Sequence, residues 1–309
     1  MNLKVKIKNS DREIELQQYN LGKMKMWQIP IEIEVEKGSF LHIGAAPSPL
    51  SDKKGAIFKI NRTPAIPATS FKGALRHQLE LLVIEKIDYL ANLFSVFEED
   101  FEKLKPCIPS PNPTKAEQDL IEVGLYRGKV DKNKYTGYCL INVDKSDHKN
   151  TKDDMGVCPV CYFMGAGGIM GFLRIPNFNV AAENDIILDQ VNIRIDRKTR
   201  TAAKSAKVDM EQVIPGTRFS GILELIDSTP LGFEFGRPRE IQGNIIDKWL
   251  KNWKEEDIKE RKRILIEEFL IPALENIREL GGQKSKGAGR VIVKIKEKNG
   301  ENHCENNEI

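Results

Sequence analysis

Cys158 and Cys161, in VCPVCYFMG, stand in a C-x-x-C spacing that lets two thiolates meet one tetrahedral metal. Cys139 and His148 lie upstream in the same polar segment. Together they form a candidate Cys₃His zinc site closing a stretch with little core of its own, with Cys107 as a substitute ligand. Thiol redox chemistry is the rival, but no thioredoxin-like strand–helix–strand context surrounds the pair. Cys304, in the polar tail, is not expected to be a ligand. The cysteine count is odd, at five, and MNLKVKIKNSDREIEL does not read as a signal peptide. A reducing cytoplasm is therefore expected, without a disulfide framework.

Three other stretches gather positive charge. In PAIPATSFKGALRHQLE a helix is predicted to begin with cations where carboxylates would suit its dipole. Thr69 and Ser70 are candidate caps that also offer hydroxyls. Lys72 and Arg76, four apart, share a face away from Phe71, Leu75 and Leu79, and Gly73 permits close approach of another backbone. In GGQKSKGAGR, Gly281, Gly282 and Gly287 offer backbone N–H groups as an anion nest, beside Lys284, Ser285, Lys286 and Arg290. The order matches neither a Walker loop nor a dinucleotide-binding fingerprint. In RIDRKTRTAAKSAK, Arg194, Arg197, Lys198, Arg200, Lys204 and Lys207 face only Asp196, as in a basic arm along a phosphate backbone. The same three patterns also suit a solvated helix face, a glycine-capped turn and a solvated loop.

The elements that must position these groups are legible in outline. The chain has 309 residues, 40% hydrophobic and 30% charged, enough for a substantial core. Its net charge is only +3, so any basic surface is local. Residues 30–36 alternate apolar and acidic, predicting a half-buried strand. A helix is predicted from about residue 70, with further helical character over 87–104. The prolines of 106–113 exclude regular structure, and 114–156 reads as an irregular insert. Strands are predicted over 56–60, 172–180, 187–195, TRFSGILELID and VIVKIK, with the longest helical region at 244–280. Interleaved but scattered strands favour an α+β fold over a doubly wound sheet.

LHIG, IPATSFKGALR, CPVCYFMG, RIDRKTRTAAKSAKVDMEQVIPGTRFSG and GGQKSKGAGRV occur in an order that resembles the RAMP superfamily of CRISPR-associated proteins. The closest likeness is to the backbone (Csm/Cmr-like) subunit of type III effector complexes. The resemblance implies a single domain over 1–309 with a ferredoxin-like, RRM-like palm and a thumb hairpin at about 190–218. Insertions would occupy about 87–160 and 240–280. It implies copies stacked in a filament on guide crRNA, other effector subunits as partners, and single-stranded target RNA. Ser70, Lys72, Arg76, the 281–290 loop and the 194–207 arm would hold RNA. It also implies an RNase site in a loop aspartate ahead of the lysine helix, which falls on Asp52, 20 positions before Lys72. Asp52 would bind Mg²⁺ or orient the RNA 2′-hydroxyl that attacks the phosphate. Here the loop reads SPLSDKKGAI, less glycine-rich than the family pattern, and Ala68 replaces the helix-starting glycine. The alternatives are a non-catalytic structural subunit and a guide-processing endoribonuclease using His42 or His77 as general acid or base. A zinc-stabilised enzyme binding a phosphorylated small molecule is the alternative of a different class.

Overall fold

The computed structural model describes residues 2–7, 12–45, 55–131, 134–141, 156–180 and 186–296, leaving aside the side chains of residues 194 and 203–208. Strands β1 (Leu3–Lys6) and β2 (Glu13–Leu16) pair as a hairpin, and β3 (Gln18–Leu21) turns directly into β4 (Met24–Val35). The alternation predicted at 30–36 extends through the C-terminal half of β4. Ile29, Ile31, Ile33 and Val35 are buried, while Gln28, Pro30, Glu32 and Glu34 take the other face. Short strands β5 (Lys59–Ile60) and β6 (Thr63–Ile66) lead into α1 (Ala68–Glu85). Phe71, Leu75, Leu79, Leu82 and Val83 form its buried stripe at helical spacing, and Phe71 meets Phe178 with ring centroids 4.5 Å apart.

The insert that follows holds α2 (Ile87–Phe94), α3 (Phe101–Leu104) and α4 (Lys115–Glu122). It continues with the strand pair β7 (Val130–Asp131) and β8 (Lys134–Tyr135), then α5 (Pro159–Met164). Helix α4 lies within the stretch predicted to be irregular. Thr114 and Glu117 close a capping box at its start, a local signal sufficient for two turns without much core.

Strands β9 (Leu173–Arg174) and β10 (Phe178–Val180) precede a long hairpin, β11 (Ile187–Ile195) and β12 (Ala202–Val213). Next come β13 (Arg218–Ser228) and the small pair β14 (Glu240–Ile241) and β15 (Asn244–Ile245). The expected long helical region at 244–280 is broken: α6 (Ile258–Leu265), a π-helical turn at Ile266–Leu270 and α7 (Ile271–Glu275) occupy only its centre. Pro272 has no N–H to give the preceding turn, and the widened turn accommodates that loss. Strand β16 (Val291–Ile295) is the last element among the described residues.

The main sheet runs β16-β4-β13-β10-β6-β5, with antiparallel pairing throughout. Its first four strands arise in chain order as β4, α1, β10, β13, α6–α7, β16, an α+β arrangement. Beneath it, Arg239 is 1% and Asp247 0% exposed, a bidentate pair with Nε–Oδ2 and Nη2–Oδ1 both at 2.8 Å. The guanidinium also lies 5.0 Å from the Tyr162 ring centroid, and Nη1 donates to Met170 O at 2.8 Å. Among the described residues no helix is long and apolar enough to cross a membrane.

Candidate nucleic-acid interface and metal centre

Helix α1 and the glycine-rich loop face each other across a groove of about 810 Å³. Thr69, Ser70, Gly73 and His77 form the helix wall, and Asn276 to Gly282 with Lys284 form the other. The helix begins at Ala68, so Thr69 and Ser70 lie inside its first turn rather than capping it. No side chain of its own N-cap residue, Pro67, serves instead; Asn177 Oδ1 accepts from the Ala68 N–H at 2.8 Å. No carboxylate occupies the first turn, which leaves this end of the helix positive.

Part of the loop's backbone is engaged by the protein itself. Gly282 N–H donates to His42 O at 2.8 Å, Gly289 N–H to Phe40 O at 2.7 Å, and Arg290 N–H to Ser39 Oγ at 3.1 Å. The N–H groups of Lys286, Gly287 and Ala288 bond back to Gln283 and Lys284 within the loop. Those six donors are taken by the fold, which reduces the backbone N–H groups open to an anion and gives weight to the side chains. Lys284, Ser285, Lys286 and Arg290 are all exposed. Lys284 touches Glu279 at 3.4 Å and Arg290 touches Glu36 at 3.8 Å, surface pairs that a phosphate can displace at small cost. Gly281, at φ +76°, is required by its neighbour: a Cβ there would stand 2.3 Å from His42 O.

The basic arm is the β11/β12 hairpin. Asp196 Oδ1 accepts the N–H groups of Lys198 and Thr199 at 2.8 and 2.9 Å, which shapes the tip and holds its pKa below the ordinary carboxylate value. Arg197, Lys198 and Arg200 are exposed there. The side chains of Arg194, Lys204 and Lys207 lie outside the described residues. The arm's root is fastened to the same segment that holds the loop. Val213 bridges Leu41, and His42 Nδ1 lies 2.8 Å from Glu211 O. Glu211 in turn pairs with Lys59 at 2.9 Å and accepts from the Ile57 N–H at 3.2 Å. His42 is therefore engaged in a structural junction, whereas His77 is exposed on the groove wall. Asp52 lies outside the described residues.

The two cations of α1 are not in this groove. Lys72 is exposed on the other side of the helix, beside a smaller pocket of about 360 Å³ lined by Met164, Ile169 and Met170. Arg76 is turned inward, with its side chain 15% exposed and ion-paired through Nε to Glu80 Oε1 at 2.8 Å. Its Nη2 donates to Cys107 O at 3.1 Å and reaches the Cys107 and Cys161 sulfurs, each at 3.6 Å. The expectation that Arg76 faces RNA is corrected: its fork is spent on Glu80 and the cysteines. The signal overlooked is Glu80 itself, four residues on, an acid at ion-pair spacing.

The cysteines form one cluster. The sulfurs of Cys107, Cys139, Cys158 and Cys161 all lie within 4.8 Å of one another, and all four residues are buried. Cys107 and Cys161 are 3.5 Å apart. Tetrahedral Zn–S bonds of about 2.3 Å place sulfurs about 3.8 Å apart, so one ion fits this set. His148 lies outside the described residues; Cys107, the substitute ligand, lies 3.5 Å from Cys161 and could take the fourth position. Cys158 N–H donates to Cys139 Sγ at 3.3 Å and Cys161 N–H to Cys158 Sγ at 3.4 Å. Arg127, buried to 1% exposure, donates from Nη2 to Cys139 Sγ at 2.8 Å. Burial opposes ionisation of Cys158, yet hydrogen bonds from the other three cysteines and the Arg127 charge hold its pKa well below that of a free thiol. Burial, hydrogen bonds with Cys107, Cys158 and Cys161, and the Cys158 charge push Cys139 well up. Crowded thiolates repel one another until a cation joins them, so the donor set fits a metal and suits zinc.

No curated protein matches the chain. A family model described as the RAMP superfamily matches residues 35–292, the span that carries α1, the cysteine cluster, the arm and the loop. On that match over most of its length, the chain belongs to the RAMP superfamily.

Proposed function

We propose that the protein is a guide-RNA-binding backbone subunit of a type III CRISPR interference complex. Membership of the superfamily implies CRISPR-related RNA binding. The observation that carries the finer reading is the groove between α1 and the 281–290 loop, with the basic arm rooted on the segment that holds that loop. The strand order β16-β4-β13-β10, with its two helical crossovers, supports a ferredoxin-like palm, and β11/β12 would be its thumb. The outer sheet face is unsuited to phosphate, because Glu32, Glu34 and Glu224 lie on it, paired to Lys296, Lys294 and Arg174. In the proposed assembly Ser70, Lys284, Lys286 and the arm's cations hold the guide backbone, Lys72 lies outside that groove on α1, and copies stack along the guide. The four cysteines would hold a structural zinc that closes the insert around α5.

In this reading Asp52 binds Mg²⁺ or orients the 2′-hydroxyl, and RNA supplies its own nucleophile. Single-stranded RNA binding is expected to weaken steeply with salt. Five exposed cations, Lys284, Lys286, Arg197, Lys198 and Arg200, predict a slope of about −3.5 in log K against log salt, or about 130-fold over a fourfold rise in salt. Substituting both Lys284 and Lys286 by alanine should reduce that slope by about 1.4. An unchanged slope in the double variant removes the loop from the interface. In the assembled complex, Asp52→Ala should spare guide binding and abolish target cutting. Cutting that persists assigns the chemistry to another group and leaves this chain the structural role.

A further inference from the structure

Two arginines from different segments converge on the cysteine cluster, and they reach different sulfurs. Arg76 comes from α1, and its Nη1 and Nη2 both reach Cys161 Sγ at 3.6 Å. Arg127 comes from the insert, and three of its polar contacts are fixed: Nε to Gly137 O at 2.8 Å, Nη2 to Gly156 O at 2.6 Å and Nη2 to Cys139 Sγ at 2.8 Å. Glu80 holds Arg76 by its Nε edge and is itself held by Tyr126, whose OH donates to Oε2 at 3.1 Å. The Nε edge thus faces a carboxylate at ion-pair distance, and both Nη groups reach sulfur. With the two backbone N–H donors at Cys139 and Cys158, each of the four sulfurs receives at least one hydrogen bond.

Four thiolates on a divalent ion carry two net negative charges, and burying an uncompensated dianion is expensive. We infer that Arg76 and Arg127 are positioning residues of the metal centre, whose two guanidinium charges neutralise the tetrathiolate and whose N–H groups fix the sulfurs for the ion. This inference rests on the cysteine cluster being a metal site. It gives Arg76 a place in the protein that its position in the basic helix start did not suggest. It also makes α1, the wall of the groove, one of the supports of the metal centre.

The test is zinc affinity by chelator competition on the full-length chain, in wild type, Arg76→Met, Arg76→Lys and Arg127→Met. Loss of such outer partners typically weakens a metal site by about 10–100-fold, and that range is expected for both methionine variants. Arg76→Lys, which keeps the charge but not the fork, should recover part of the loss. Cobalt substituted for zinc reads the sulfurs directly: the thiolate-to-cobalt charge-transfer band should move in the methionine variants, which a purely structural role would not cause. If Arg127→Met does not fold, the Arg76 pair decides the matter. Affinities within about threefold of wild type, with an unmoved cobalt band, overturn the inference while leaving the metal site standing. A wild-type chain that holds no stoichiometric metal overturns the site and the inference together.

Discussion

Cys158→Ser is expected to abolish stoichiometric metal binding and to loosen the insert around it. Cys158 is the N-cap of α5, its sulfur accepts the Cys161 N–H, and its own N–H supports Cys139. The change therefore removes one ligand, while the backbone N–H to Cys139 and an N-cap acceptor at position 158 are kept, so the loss isolates the thiolate. The energetic scale is large: a structural zinc site in a small folding unit contributes an apparent ~10–16 kcal/mol at neutral pH. Here α5 is also covered by a large core, with Val160, Tyr162 and Phe163 buried, so the whole protein need not unfold. The expected result is a metal content falling from about one ion per chain to a small fraction, with new protease sensitivity between residues 106 and 161. Elemental analysis and limited proteolysis check it. Full metal loading in the serine variant would mean that Cys158 is not a ligand. A metal-free wild type with the same protease pattern would mean that packing alone holds the insert.

The second large effect is expected at the buried pair Arg239–Asp247. Burial pushes Asp247 above the ordinary carboxylate pKa even though Arg239 donates to both its oxygens. Desolvation thus consumes much of what the ion pair gains, as expected for two charges this deep. The pair adds little net stability, but half of it is costly. Asp247→Ala leaves a guanidinium at 1% exposure with only Met170 O and two aromatic faces, and should cost about 3–5 kcal/mol in urea unfolding. Replacing both residues, as Arg239→Met with Asp247→Leu, should recover most of that loss. A double variant as unstable as the single one would show that shape and hydrogen bonding, rather than stranded charge, set the cost.

Local pattern carried a good part of the architecture. The two-residue alternation of PIEIEVE, the Phe71/Leu75/Leu79/Leu82 spacing and the strand pairs around the arm and VIVKIK are all realised, because period and polarity report directly on a buried face. The C-x-x-C pair likewise announced thiolates at metal spacing. The helical region at 244–280 was overestimated because charge-rich composition suits helix or loop alike. Its real limits depend on Trp249, Trp253 and Phe269 closing on Phe94, contacts made across more than 150 residues of chain.

From composition and spacing alone came the α+β class, the positive helix start, the basic arm and the candidate thiolate ligands. Tertiary structure decided what those groups face. It turned Arg76 onto sulfur and Glu80, brought Cys107 beside Cys161, placed Lys72 and Ser70 on different sides of α1, and spent the N–H groups of Gly282, Gly289 and Arg290 on residues 39–42. The reason is physical. A residue's type and period are properties of its own segment, whereas the partner that satisfies a buried cation, thiol or amide comes from whichever distant segment packs against it.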